Sequence, residues 1–169
     1  EKALTRALID GAKAQLEKLK PADAKSLDAF KKAMRPAWQR TLQVEVPDPG
    51  LIVESSAPSK TDGGTTTRLF LGRAGRGDRI PAVMITPSTD AHRLMAVLAH
   101  PDGKSAFLDS NGAAKGLAKK VLDRGHSVLL LDTFLTGELA NPDAAKSRNQ
   151  FTSYFTTYNR TDIQERVQD

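Results

Sequence analysis

A histidine, an aspartate and a lysine stand within five residues at His100-Pro101-Asp102-Gly103-Lys104, directly behind the apolar run Leu94-Met-Ala-Val-Leu-Ala99. An apolar run of that length, cut off by turn formers, reads as a strand buried on both faces, and such strands are usually parallel. Ser127-Val-Leu-Leu-Leu-Asp132 repeats the pattern, and the segment between them reads as a helix. Together they make one βαβ unit. Ligands and reacting groups gather at the loop leaving the carboxyl end of the first strand of such a unit. His100 to Lys104 is therefore expected to form part of an active-site wall.

Several other chemistries compete for these residues. Asp102-Gly103-Lys104-Ser105 has the end of a phosphate-binding loop, but Leu98 stands where the first glycine of that loop belongs. His92, His100 and His126 share no metal-ligand spacing, so no metal and no cofactor are expected. His100 itself reads equally well as a functional residue and as a histidine that bonds backbone at a strand end. Gly72-x-x-Gly75-x-Gly77 has the wrong spacing for a dinucleotide fingerprint and is followed by no helical pattern, so it reads as a hairpin loop. The absence of cysteine removes disulfides, thiol catalysis and Cys-ligated metals together.

The elements that must hold the loop can be read on either side of it. Leu4, Leu8, Ile9, Ala12, Leu16 and Leu19 form one helical stripe, which Pro21 ends. Ser26 can cap a second helix with the stripe Leu27, Phe30, Met34 and Trp38, interrupted near Pro36. Residues 1–46 thus read as an N-terminal helical layer packed on its apolar stripes. After the turn cluster Pro47-Asp-Pro-Gly50, strands are expected at about 51–57, 66–72 and 79–86, joined by turns at Asp62-Gly63-Gly64 and Gly72 to Asp78 and therefore antiparallel.

The crossover helix presents Ala114, Leu117, Ala118, Val121 and Leu122 inward, with Asp109 or Ser110 able to start it and Gly125 fitting the left-handed position at its end. From Thr133 to Asn159 no long regular pattern appears, and connections of that length usually carry function or short elements of their own. Tyr154, Phe155 and Tyr158 recur with Phe151 at helical spacing there. Thr161-Asp-Ile-Gln164 is a capping box opening a last helix. Asn159-Arg-Thr161 is also a glycosylation sequon.

With 169 residues, 39% apolar and 27% charged, the chain has the composition of a globular domain with a real core. A net charge of +5 and a pI near 9.6 permit attraction to polyanions. The basic residues are mostly interleaved with acids, and even Arg73, Arg76 and Arg79 have Asp78 among them, so nucleic-acid binding is not expected. No run approaches the roughly 18 apolar residues of a membrane span, so neither a bilayer crossing nor an uncleaved signal peptide is expected. The chain lacks an initiator Met, which is compatible with removal of a signal and an extracytoplasmic location; the compartment is otherwise open.

Met34-Arg-Pro-Ala-Trp38, Ala99-His-Pro-Asp-Gly-Lys104 and Tyr158-Asn-Arg-Thr161 through Arg166-Val-Gln-Asp169 resemble acetyl-xylan-esterase-like and dienelactone-hydrolase-like members of the α/β-hydrolase superfamily, over most of residues 27–169. The resemblance implies an α/β fold: N-terminal helices, antiparallel lead-in strands, then a parallel βαβ unit of an incomplete α/β-hydrolase sheet, with 47–169 as the N-terminal portion of that domain. It implies hydrolysis of a small carboxylic ester, of the acetyl or carbohydrate class. In that superfamily the loop after this strand gives a backbone N–H to the oxyanion hole. Carried over, the donor is Asp102 or Gly103, with His100 and Pro101 shaping the loop. Lys104, Phe134, Tyr154 and Tyr158 become candidate pocket residues.

No Gly-x-Ser-x-Gly elbow occurs in the sequence, and neither Ser105 nor Ser110 lies in a strand-turn-helix elbow. The resemblance therefore places serine, acid and histidine beyond Asp169, leaves no complete triad here, and implies an inactive chain by itself. In the superfamily's strand order the nucleophile strand lies beside 94–100. Met95 to Ala99 should thus form an open sheet edge, covered by a second polypeptide that most simply carries the C-terminal half of the same hydrolase. The alternative is a non-catalytic binding or structural domain of the same fold; a nucleotide-binding α/β domain is a third reading.

Overall fold

A computed structural model describes residues 2–46, 50–61, 64–88, 94–148, 152 and 154–169. Most of the turns expected at 47–50 and 62–64, together with His92 and Phe151, lie outside the described residues. The chain divides into two units, Glu1–Val44 and Glu45–Asp169.

The first unit consists of helices α1 (Lys2–Leu19) and α2 (Ala24–Leu42). Neither helix buries a residue; Leu4 and Leu8, expected to pack inward, are 66% exposed. Two helices by themselves have too little apolar surface to enclose one another. Helix α2 starts on Asp23, whose Oδ1 accepts the Ser26 N–H at 2.7 Å, while Ser26 Oγ accepts the Asp23 N–H at 2.9 Å. Ser26 is thus the third residue of a capping box rather than the cap itself. The helix runs through Pro36 without the expected interruption. Lys32 and Pro36 are exposed, so the carbonyl that loses its helical donor stays open to solvent.

The second unit is a mixed α/β assembly around a six-stranded sheet of order β1-β3-β4-β6-β5, with β2 also on β3. Strands β1 (Leu51–Ser55), β2 (Ser59–Thr61), β3 (Gly64–Arg73) and β4 (Ile80–Pro87) form the antiparallel lead-in. β5 (Met95–Ala99) and β6 (Ser127–Leu131) form the parallel pair, in register from Met95↔Ser127 to Ala99↔Leu131. β6 also pairs antiparallel with β4, which joins the meander to the βαβ unit. Gly75 and Gly77 take left-handed conformations in the β3–β4 turn, in keeping with a hairpin loop.

Helix α3 (Gly116–Leu122) covers one face of the sheet, where Val83, Ile85, Ala118, Val128 and Leu130 form the core with Ala96, Leu98 and Phe107 against it. It begins later than expected. Asp109 does not start it; its Oδ1 instead accepts the N–H groups of Asn111 and Ala113 at 2.8 and 2.9 Å, closing a local loop bridged by Leu108 and Ala114. Gly125, at φ +78°, ends the segment.

β5 departs from the double-sided burial that its apolar run suggested. Ala96 and Leu98 turn toward the α3 side, while Met95 and Val97 on the other face are 49% and 59% exposed. β5 is also the last strand of the sheet, and among the described residues its outer edge meets no further strand.

Among the described residues, the short α-helices α4 (Pro142–Ser147), α5 (Phe155–Tyr158) and α6 (Asp162–Gln168) follow β6. The long connection thus carries elements of its own. The capping box forms as read, with Thr161 Oγ1 accepting the Gln164 N–H at 3.2 Å and Gln164 Oε1 accepting the Thr161 N–H at 2.7 Å.

Candidate functional site

Because β5 and β6 are parallel, their carboxyl ends lie at the same edge of the sheet, where ligands bind in open α/β folds. Residues 100–104 leave β5 there, and residues 132–140 leave β6. A cleft of about 820 Å³ opens between them, lined by Pro101, Asp102, Lys104, Ser105, Asp132, Leu135, Thr136, Gly137 and Glu138, with Arg68 of β3 and the Leu108–Gly112 loop opposite.

The first loop is a tight turn: the Gly103 N–H donates to the His100 carbonyl at 2.9 Å. Pro101 stands at the second position and Gly103 at the fourth, both favoured there in a β-turn. The Asp102 N–H donates to His100 Nδ1 at 3.1 Å, and the imidazole meets the Phe107 ring edge-on at 5.8 Å. Ser105 Oγ donates to the Asp102 carbonyl at 3.2 Å. Both N–H groups that the resemblance offers as oxyanion donors are therefore taken up within the turn.

The second loop folds on buried threonines. Thr136 donates both its N–H and its Oγ1 to the Thr133 carbonyl, at 2.9 and 2.8 Å. Leu135 between them is held at φ +55°, a conformation that costs a non-glycine residue and is found mostly at functional or tightly constrained places.

Asp132 joins the two loops, and its role was invisible in the sequence. It is 1% exposed. Its Oδ1 accepts the Lys104 N–H at 2.6 Å, its Oδ2 accepts the Glu138 N–H at 2.9 Å, and Lys104 Nζ also donates to Oδ2. Lys104 Nζ further pairs with Glu138 Oε1 at 2.5 Å. Burial alone would raise the Asp132 carboxyl; the two N–H groups and the ammonium outweigh it and hold the group below the ordinary carboxylate range. Only the adjacency of Asp132 to an apolar strand was legible beforehand, because its partners lie six and 28 residues away.

Of the other residues singled out by sequence, Lys104 lines the cleft with its ammonium already engaged by two carboxylates. Phe134, Tyr154 and Tyr158 do not line it. Phe134 lies under the Arg148 guanidinium, 4.7 Å from its ring centre, while Tyr154 and Tyr158 are 75% and 83% exposed. Tyr154 precedes α5 at φ +69°, so of the aromatics grouped by helical spacing, Phe155 and Tyr158 lie in the helix and Tyr154 does not.

No family model matches the chain, and no curated protein matches it. Among solved structures it is similar to a protein of Bacteroides fragilis NCTC 9343 described as a "putative acetyl xylan esterase", with a TM-score of 0.55 and 10% identity over 91% of this chain and 47% of that one. At that identity the likeness shows the fold alone. The chain spans about half the length of the structure it matches.

Proposed function

We propose that this chain is the N-terminal portion of a serine-type carboxylic-ester hydrolase acting on acetyl or carbohydrate esters. It supplies the oxyanion-side loop and one wall of the pocket, and a second polypeptide segment supplies serine, acid and histidine. The observation that carries this reading is the place of β5, last in the sheet with loop 100–104 leaving its carboxyl end into the cleft. The fold likeness to the Bacteroides fragilis protein supports it.

In this reading the serine, losing its proton to the histidine, attacks the ester carbonyl and the carbonyl oxygen gains negative charge. The C–O bond then breaks, the alcohol leaves with that proton, and water hydrolyses the acyl-enzyme to the free acid and serine. A backbone N–H aimed at that oxygen is worth about 3 to 4 kcal/mol in the transition state. The Asp102 N–H is the donor assigned here. Its present acceptor is a half-exposed imidazole, which frees it by rotating about χ1 and χ2; the Gly103 N–H is fixed in the turn.

The occupied N–H groups favour a second reading, a non-catalytic domain that keeps the fold. p-Nitrophenyl acetate hydrolysis by the full polypeptide, with a fluorophosphonate label located by intact mass and peptide mapping, separates the two. Turnover with a labelled serine outside these residues supports the hydrolase. No turnover and no label selects the non-catalytic domain.

A further inference from the structure

We propose that Asp132 is a positioning residue that fixes the β5 loop against the β6 loop, with the Lys104 ammonium as its counter-charge. Its catalytic consequence rests on the esterase reading. Its structural consequence does not.

The described bonds of the Asp132 carboxylate all run to the two loops. One oxygen takes the Lys104 N–H, and the other takes the Glu138 N–H and the Lys104 ammonium. The loops close onto the carboxylate from both sides. Gly103 and Gly137 are both left-handed, at φ +76° and +50°, and a Cβ at either would collide with Asp132. A carboxylate so buried is tolerated only when charge and hydrogen bonds surround it, and here its donors are the loop backbone itself.

The Lys104 N–H belongs to the peptide that follows Gly103, two peptides beyond the Asp102 N–H assigned as oxyanion donor. Between these two points the backbone is a closed turn, so a shift at Lys104 moves the donor. Lys104 thereby serves twice, through its N–H and through an ammonium that also reaches Glu138 on the far loop. This also accounts for a lysine at the floor of the cleft that offers no free charge to an acidic substrate.

The test uses D132N, K104M and K104R in the full polypeptide. D132N keeps the shape but turns one acceptor into a donor facing a donor. Amide exchange at Lys104 and Glu138 should then quicken by about tenfold or more, and by clearly more than at β3 and β4. For p-nitrophenyl acetate, kcat should fall about tenfold or more with KM within about twofold. K104M should show the same pattern more weakly, and K104R, which keeps the charge but not the fit, should lie between K104M and wild type in both readouts.

Unchanged exchange at Lys104 and Glu138 in D132N overturns the proposal. So does acceleration spread equally over β3 and β4, the mark of a general loss of stability. If D132N does not fold, K104M decides by the same comparison. A wild-type protein without esterase activity would end the hydrolase reading, while the exchange result still judges the clamp.

Discussion

The backbone N–H of Phe134 donates to Asp169 Oδ2 at 2.7 Å, across 35 residues of sequence. The carbonyl of the same residue accepts Arg166 Nε at 3.0 Å. The Arg166-Val-Gln-Asp169 segment thus grips both polar groups of one residue in the loop that follows Asp132. Burial, with the nearby Glu165 charge, raises the Asp169 carboxyl although the Phe134 N–H opposes this. Replacing Arg166 by Met leaves the Phe134 carbonyl without this donor and should cost about 1 to 2 kcal/mol in urea unfolding of the full polypeptide. Asp169→Ala should cost less, since it also removes a carboxylate that burial disfavours. The two should be non-additive because they hold one residue. An Arg166→Met variant within about 0.5 kcal/mol of wild type would refute this grip.

Acid should weaken the clamp in a defined window. The folded-state pKa of Asp132 lies below its unfolded value, so its contribution is present in full above the unfolded pKa of about 4 and is lost as pH falls through the folded value. The melting temperature of wild type should therefore exceed that of D132N by a constant margin above about pH 5, and the margin should close below about pH 4. A margin independent of pH down to about pH 2 would assign the loss to packing and not to the charge.

How far the site could be read beforehand follows from which bonds are local. The His100-Pro101-Asp102-Gly103 turn was legible because proline and glycine state its geometry within four residues. The two parallel strands were legible from unbroken apolar runs, and the capping box from Thr161 and Gln164 three residues apart. Asp109 misled because an aspartate that starts a helix and one that closes a loop look alike in sequence; the bridge between Leu108 and Ala114 chose the loop. β2 escaped notice because Ser59-Lys-Thr61 has no apolar alternation and exists through pairing with β3. The exposed face of β5 follows from what covers the sheet, which no local pattern records.

The two glycines beside Asp132 give a test of loop geometry that needs no assay of activity. Gly103→Ala and Gly137→Ala each force a Cβ toward the buried carboxylate at positive φ. Each should lose about 2 kcal/mol or more, well beyond the usual cost of leaving a left-handed glycine. Gly75→Ala, at φ +72° in the β3–β4 turn with open space around it, should lose about 1 kcal/mol. Equal losses at all three would mean that backbone conformation alone, and not the approach to Asp132, constrains the first two.

The edge of β5 predicts the behaviour of the 169-residue chain in isolation. An apolar terminal strand with Met95 and Val97 half exposed is a template for pairing with another chain. Light scattering should show self-association that grows with concentration. Val97→Lys should reduce it, because a charge on an edge strand opposes intermolecular pairing and the exposed face of Val97 can accept a lysine. Adding the segment proposed to carry the nucleophile strand should suppress self-association and protect the β5 amides from exchange. A chain that stays monomeric and melts cooperatively by itself would remove the need for a second segment to complete the sheet.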